Sequence, residues 1–134
     1  MDMPDIELTS VCTEGYAVTN VIGDWELTID AAEKEGPNPN QALVATYASC
    51  FVPAFRVGAK KEGFDDVGQI EVDVGADLDE DDDLETIHFD IHVEEALGDS
   101  VTDIVERAEG ICHVHTALRE ELHAEVSVED EQDF

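Results

Sequence analysis

Two cysteines, Cys50 and Cys112, carry the chemistry this chain most plainly suggests. Each falls on the apolar side of an expected helix, so the pair suits a division of labour. One thiolate attacks the O–O bond of a peroxide and becomes a sulfenic acid, and the second thiol condenses with it. Spacing alone serves plain burial as well, because cysteine is among the most buried residue types. Cys12, beside Val11 in a short N-terminal strand, fits no motif and is expected as a small core or edge residue. Three cysteines this far apart do not make a structural disulfide framework.

A metal reading competes at Cys112, His113 and His115, with His88 and His92 on one strand and His123 on another, since thiolate and imidazole suit zinc or copper. Cys-His-x-His lacks the paired spacing of a closed site, and His88, His92 and His123 alternate onto acidic strand faces as solvated side chains. Asp79 to Asp83 has neither the glycine nor the terminal glutamate of a calcium loop. The expectation is therefore no metal and no cofactor.

The element that must position Cys50 is a helix opening at Asn38 and closing at Gly63. Asn38 is an N-cap, Pro39 occupies the first helical position, and Gln41 reaches back to complete a capping box. Ala42, Leu43, Val44, Ala45, Tyr47, Ala48, Phe51, Val52 and Phe55 leave no polar stripe, which predicts a helix buried all round. At 1.5 Å per residue it is roughly 36 Å long, against a radius of gyration of about 14 Å for such a chain, so a partner chain is expected around it. Pro53 removes a helical hydrogen bond one turn beyond Cys50 and opens the backbone there.

Around this helix the chain reads as α+β, with antiparallel sheets. Ile6 and Leu8, then Tyr16 and Val18, then Trp25, Leu27 and Ile29 form an N-terminal meander with Trp25 in its buried face. Ile70 to Leu78 and Ile87 to Val93 alternate apolar and polar residues as a hairpin across the acidic turn Asp79 to Asp83. Asp99 or Ser100 caps a second helix whose stripe Val101, Ile104, Val105, Ala108 ends at Cys112. A short helical piece through Ala117 and Leu118 leads to a last strand, Leu122 to Val128, and residues 129–134 read as a frayed tail of a single domain spanning 1–134.

Thirty-five acidic against six basic residues give a net charge of −29, with 43% hydrophobic residues. That balance excludes nucleic acid and anionic membranes as partners. It resembles proteins of halophilic organisms, in which molar salt screens self-repulsion over about 3 Å. The start Met1-Asp-Met-Pro-Asp has no basic or apolar leader character and no stretch approaches 18 apolar residues, so a cytoplasmic location is expected.

The wording around the cysteines adds a family. Gly36-Pro-Asn-Pro-Asn-Gln-Ala-Leu-Val-Ala-Thr-Tyr-Ala-Ser-Cys50-Phe resembles the signature of the OsmC/Ohr proteins, osmotically inducible and organic hydroperoxide resistance proteins. Cys112-His-Val-His-Thr-Ala-Leu-Arg-Glu-Glu-Leu-His-Ala-Glu-Val resembles that family's second-cysteine motif. The resemblance covers about residues 16 to 128. It implies an OsmC-like fold in an intertwined homodimer, with peroxidase activity on small organic hydroperoxides at the expense of a dithiol. Cys50 would be the peroxidatic and Cys112 the resolving thiol. Asn40 stands where family peroxidases carry glutamate, and no arginine precedes Arg56 to hold a thiolate. Without a cation, an apolar site should raise the Cys50 pKa. The alternative is an OsmC-fold dimer that binds a small ligand or has a structural role.

Overall fold

The computed structural model describes residues 3–134, arranged as two compact units that divide between Leu43 and Val44. In the first unit β1 (Thr9–Val11), β2 (Ala17–Ile22) and β3 (Trp25–Asp30) form an antiparallel sheet in that order. Ile22 pairs with Trp25 across a two-residue turn, where Gly23 takes φ 59°, a conformation costly for other residues. The meander is as expected, but its first strand begins after Ile6 and Leu8. Asp30 is buried at its end, and its carboxylate accepts from the backbone N–H groups of Ala32, Lys34 and Glu35 at 2.8, 3.2 and 3.0 Å. This ring of amides shapes the loop leading to the helix.

Among the described residues no apolar side chain ahead of Val44 is buried. Trp25, expected in a core, is 78% exposed, and Cys12 is exposed just beyond β1. A single three-stranded sheet has no second layer of its own to bury such side chains against.

The helix α1 (Pro39–Lys61) opens in the first unit and runs on through the second. Its start is the anticipated capping box: Gln41 N–H donates to Asn38 Oδ1 at 2.8 Å and Asn38 N–H to Gln41 Oε1 at 2.9 Å. Pro53 lies inside it without interrupting it. Within one chain Val44, Tyr47, Phe51, Ala54, Phe55, Gly58 and Ala59 form a buried stripe at helical spacing while Leu43 and Val57 are exposed, and the all-round burial expected of this helix rests on a partner chain. An 18-residue window of α1 has mean hydropathy 1.3, enough by length and composition to cross a membrane, contrary to the expectation that no stretch approaches this. Its buried positions are core positions of the second unit.

The second unit continues with β4 (Ile70–Leu78), β5 (Leu84–Val93), α2 (Val101–Ile111), α3 (His113–Ala117) and β6 (Glu125–Glu129). The hairpin of β4 and β5 forms as expected, in a register that puts Asp73 opposite Asp90, and β6 pairs with the other edge of β5. That last pairing is parallel, the one departure from an antiparallel reading: α2 and α3 fill the crossover such a connection needs. The expected α+β architecture stands. On β5, Leu84, Ile87, Phe89, Ile91 and Val93 are buried; Phe89 meets Tyr47 and Phe51 of α1 with ring centroids 4.8 and 5.3 Å apart. On β4 only Ile70 and Val72 share that cover, and Val74 and Leu78 are exposed. Ser100 makes no side-chain cap to α2. The tail is not frayed through Gln132: Glu131 and Gln132 donate to Glu95 and Val93 carbonyls, and the Asp130 carboxylate accepts from the Leu97 and Gly98 amides.

Candidate active site

Cys50 directly precedes Phe51 on α1, which leaves it at the rim of the buried stripe and half-buried. Cys112 is 1% exposed and is the hinge between two helices. Its extended backbone, φ −71° and ψ 109°, ends α2 and starts α3, while its N–H still donates to Ala108 and its sulfur caps α3 by accepting from His115 N–H at 3.4 Å. The opening amides of any helix lack intrahelical acceptors. Here those of Val114 and His113, together with the Cys112 thiol, favour the charged form of the Cys50 sulfur.

The two thiols are thereby driven apart. Burial pushes Cys50 up, but the amide of Val114, the Cys112 thiol and the amide of His113 outweigh it and hold Cys50 below the ordinary thiol value. Cys112 moves up, first through burial, then because it donates to Cys50 and lies beside its charge, despite the opposing His115 amide. The expectation of a raised Cys50 pKa is therefore corrected: backbone donors do the work assigned to a missing arginine. Among the described residues no lysine or arginine contributes to the Cys50 shift. Arg56, Arg107 and Arg119 pair instead with Asp66, Glu62 and Glu121.

Behind the thiols lies a polar core that sequence reasoning missed. Tyr47 Oη accepts from Ala124 N–H at 3.0 Å, so its hydroxyl proton is free to go to His115 Nδ1 at 2.6 Å. The His115 ring stacks on His123 at 3.8 Å between centroids, and His123 Nε2 donates to the Leu118 carbonyl at 3.1 Å. Burial, then the neighbouring His123, holds the His115 pKa below its ordinary 6.5. Tyr47 is raised, chiefly by burial. His115 and His123 are thus structural posts rather than solvated histidines, and their rings do not join Cys112 as ligands. The Cys-His-x-His spacing at Cys112 to His115 spoke only to a metal, and no sequence pattern linked His115 to His123 or Tyr47. Cys12 donates to the Gly15 carbonyl at 3.4 Å within the first unit.

Residues 32–127 match the family of OsmC-like proteins. An uncharacterized protein of Haloferax volcanii is 58% identical over 94% of this chain and 96% of its own length. The crystal structure of an OsmC-like protein from Mycoplasma pneumoniae is similar at TM-score 0.73 and 19% identity, covering 97% of each chain. That of the organic hydroperoxide resistance protein OhrB of Bacillus subtilis is similar at TM-score 0.68 and 23% identity, over 92% of this chain and 97% of that one. The two crystal structures share the fold; the family match and the Haloferax relative extend through the sequence around both cysteines, and the chain belongs to the OsmC-like protein family.

Proposed function

We propose that this protein is a cytoplasmic thiol peroxidase that reduces organic hydroperoxides through Cys50 and Cys112. What supports the reading is the free, half-buried Cys50 thiol with the free, buried Cys112 beside it, where the Val114 and His113 amides and the Cys112 thiol lower the Cys50 pKa without a cation. The Cys50 thiolate attacks the distal peroxide oxygen, the O–O bond breaks, and the departing alkoxide takes a proton from solvent to leave as alcohol. Cys50 is now a sulfenic acid. The Cys112 thiol displaces its hydroxyl, which leaves as water, and the S–S bond forms; an external dithiol then reduces that disulfide and is itself oxidised. The raised pKa of Cys112 keeps it a proton-bearing donor to Cys50 until this second step.

The working form is a homodimer. Uncovered apolar side chains throughout the first unit, among them Ile6, Leu8, Val21, Trp25 and Leu27, support a second chain as their cover. Sedimentation in molar KCl tests this, and a stable monomer there would rule it out.

The chemistry is tested by intact-mass measurement after a stoichiometric pulse of cumene hydroperoxide in high salt. A loss of two hydrogens, restored by dithiol, is expected; Cys112→Ser should stop at the sulfenic acid, Cys50→Ser should not react, and Cys12→Ser should behave as wild type. An unchanged mass with all thiols still alkylatable would leave only the alternative of a ligand-binding or structural OsmC-fold protein.

A further inference from the structure

On β5 the polar alternation places His88, Asp90 and His92 on the sheet face opposite Ile87, Phe89, Ile91 and Val93. His92 stands out there. Its Nε2 lies 3.1 Å from Asp73 Oδ2 of β4 and 3.4 Å from Asp90 Oδ2, and its Nδ1 lies 3.0 Å from Glu129 Oε2 of β6. We propose that His92 Nε2, Asp73 and Asp90 form a site for a divalent first-row metal ion such as zinc, with Glu129 fixing the imidazole from behind.

Three geometric facts carry this. The first is spacing: metal bonds of about 2.0–2.1 Å at a tetrahedral angle put ligand atoms about 3.4 Å apart. The 3.1 and 3.4 Å separations match that, and all three ligand atoms lie within 4.8 Å of one another. A proton on Nε2 serves only Asp73, to which it donates at 3.1 Å, because Asp90 at 3.4 Å lies beyond the usual hydrogen-bond range of about 2.7–3.2 Å.

The second is support. Glu129 Oε2, 3.0 Å from Nδ1, is placed to hold that nitrogen's proton once Nε2 gives up its own to an ion, the carboxylate–histidine–metal arrangement. Ser127 Oγ donates to Asp90 Oδ1 at 2.9 Å, which fixes the second ligand and leaves Oδ2 for the ion. The third is rigidity, because Asp73 and Asp90 are direct cross-strand partners and Ser127 stands opposite Asp90 on β6. His88 lacks this set: its Nε2 faces one carboxylate, Asp77, at 3.3 Å. The acidic turn at Asp79, Asp81 and Asp83 has no imidazole, and its Asp79 oxygen is occupied by backbone amides. One nitrogen and two oxygens suit zinc, cobalt or manganese, with water completing the shell. The site would clasp β4 to β5.

The test is a zinc titration of the full chain in KCl, read by two-bond 1H–15N spectra of the imidazoles. These spectra separate His92 from any zinc held by the thiols. The expected result is one ion per chain, a metal-induced shift at His92 Nε2 with Nδ1 still protonated, and His88 unmoved. Asp73→Asn, Asp90→Asn and Glu129→Gln, all on the open face, should each weaken binding by about tenfold or more. His92 signals that stay put into millimolar zinc would overturn the proposal. So would equal affinity in wild type and Asp73→Asn, which marks an adventitious ion only.

Discussion

At the scale of single residues, the lowered pKa of Cys50 is owed to backbone amides and a neighbouring thiol rather than to a cation. If the His113 and Val114 amides acidify Cys50, iodoacetamide should label Cys50 well before Cys112 at neutral pH, as peptide mapping will show. His113→Pro isolates the effect: proline is tolerated at the first position of a helix and Cys112 ahead of it is already extended, so the fold keeps its shape while one donor is lost. Cys50 labelling should then slow several-fold. Tyr47→Phe leaves the Ala124 N–H and the His115 ring nitrogen buried without their partner and should cost about 2–4 kcal/mol, measured by denaturant unfolding in molar KCl. His115 adds a pH term. Its folded pKa lies below the unfolded 6.5, so the unfolded chain binds more protons in that window. The stability His115 contributes is complete above pH 6.5 and is lost as pH falls through its folded value. The difference in stability between wild type and His115→Gln, followed downward from pH 7, isolates this loss, and a pH-independent difference would contradict it.

Among the elements, the helices show where packing is tight. A Cβ on Gly58 would sit 3.0 Å from the Ile104 carbonyl and 3.1 Å from Arg107 Cβ, so Gly58→Ala must push α2 from α1 and should destabilise by about 1–3 kcal/mol. Gly110, late in α2, has open space at the same position, and Gly110→Ala should stabilise by about 0.5–1 kcal/mol. Thermal melts of the pair should move in opposite directions. The same contrast explains what the sequence could and could not convey. Capping at Asn38 and Gln41, the alternation of β4 and β5 and the stripe ending at Cys112 are local, and local patterns were readable. The one-sided burial of α1, the exposure of Trp25 and the parallel docking of β6 depend on which layers meet. Composition along one strand or helix does not contain that. The candidate site divides the same way: both thiols were legible as residue types, but the amides that acidify Cys50 belong to a helix only five residues long, and amides have no side-chain signature.

For the whole molecule, a net charge of −29 dominates the response to solvent. With six basic residues to offset thirty-five acidic ones, most repulsion is relieved only by counter-ions, and the melting temperature should fall markedly as KCl is lowered from molar to dilute. A flat profile would assign the acidity another purpose. The parallel pairing of β5 with β6 bears on the order of events during synthesis. The crossover that this pairing requires also carries Cys112, which follows Cys50 from the ribosome by some 60 residues, roughly 3–12 s at ordinary elongation rates. Throughout that interval Cys50 has neither its amide donors nor its neighbouring thiol, and it behaves as an unactivated cysteine. Both arrive on the same short segment, so under the proposed chemistry Cys50 gains its donors and its partner thiol in a single step.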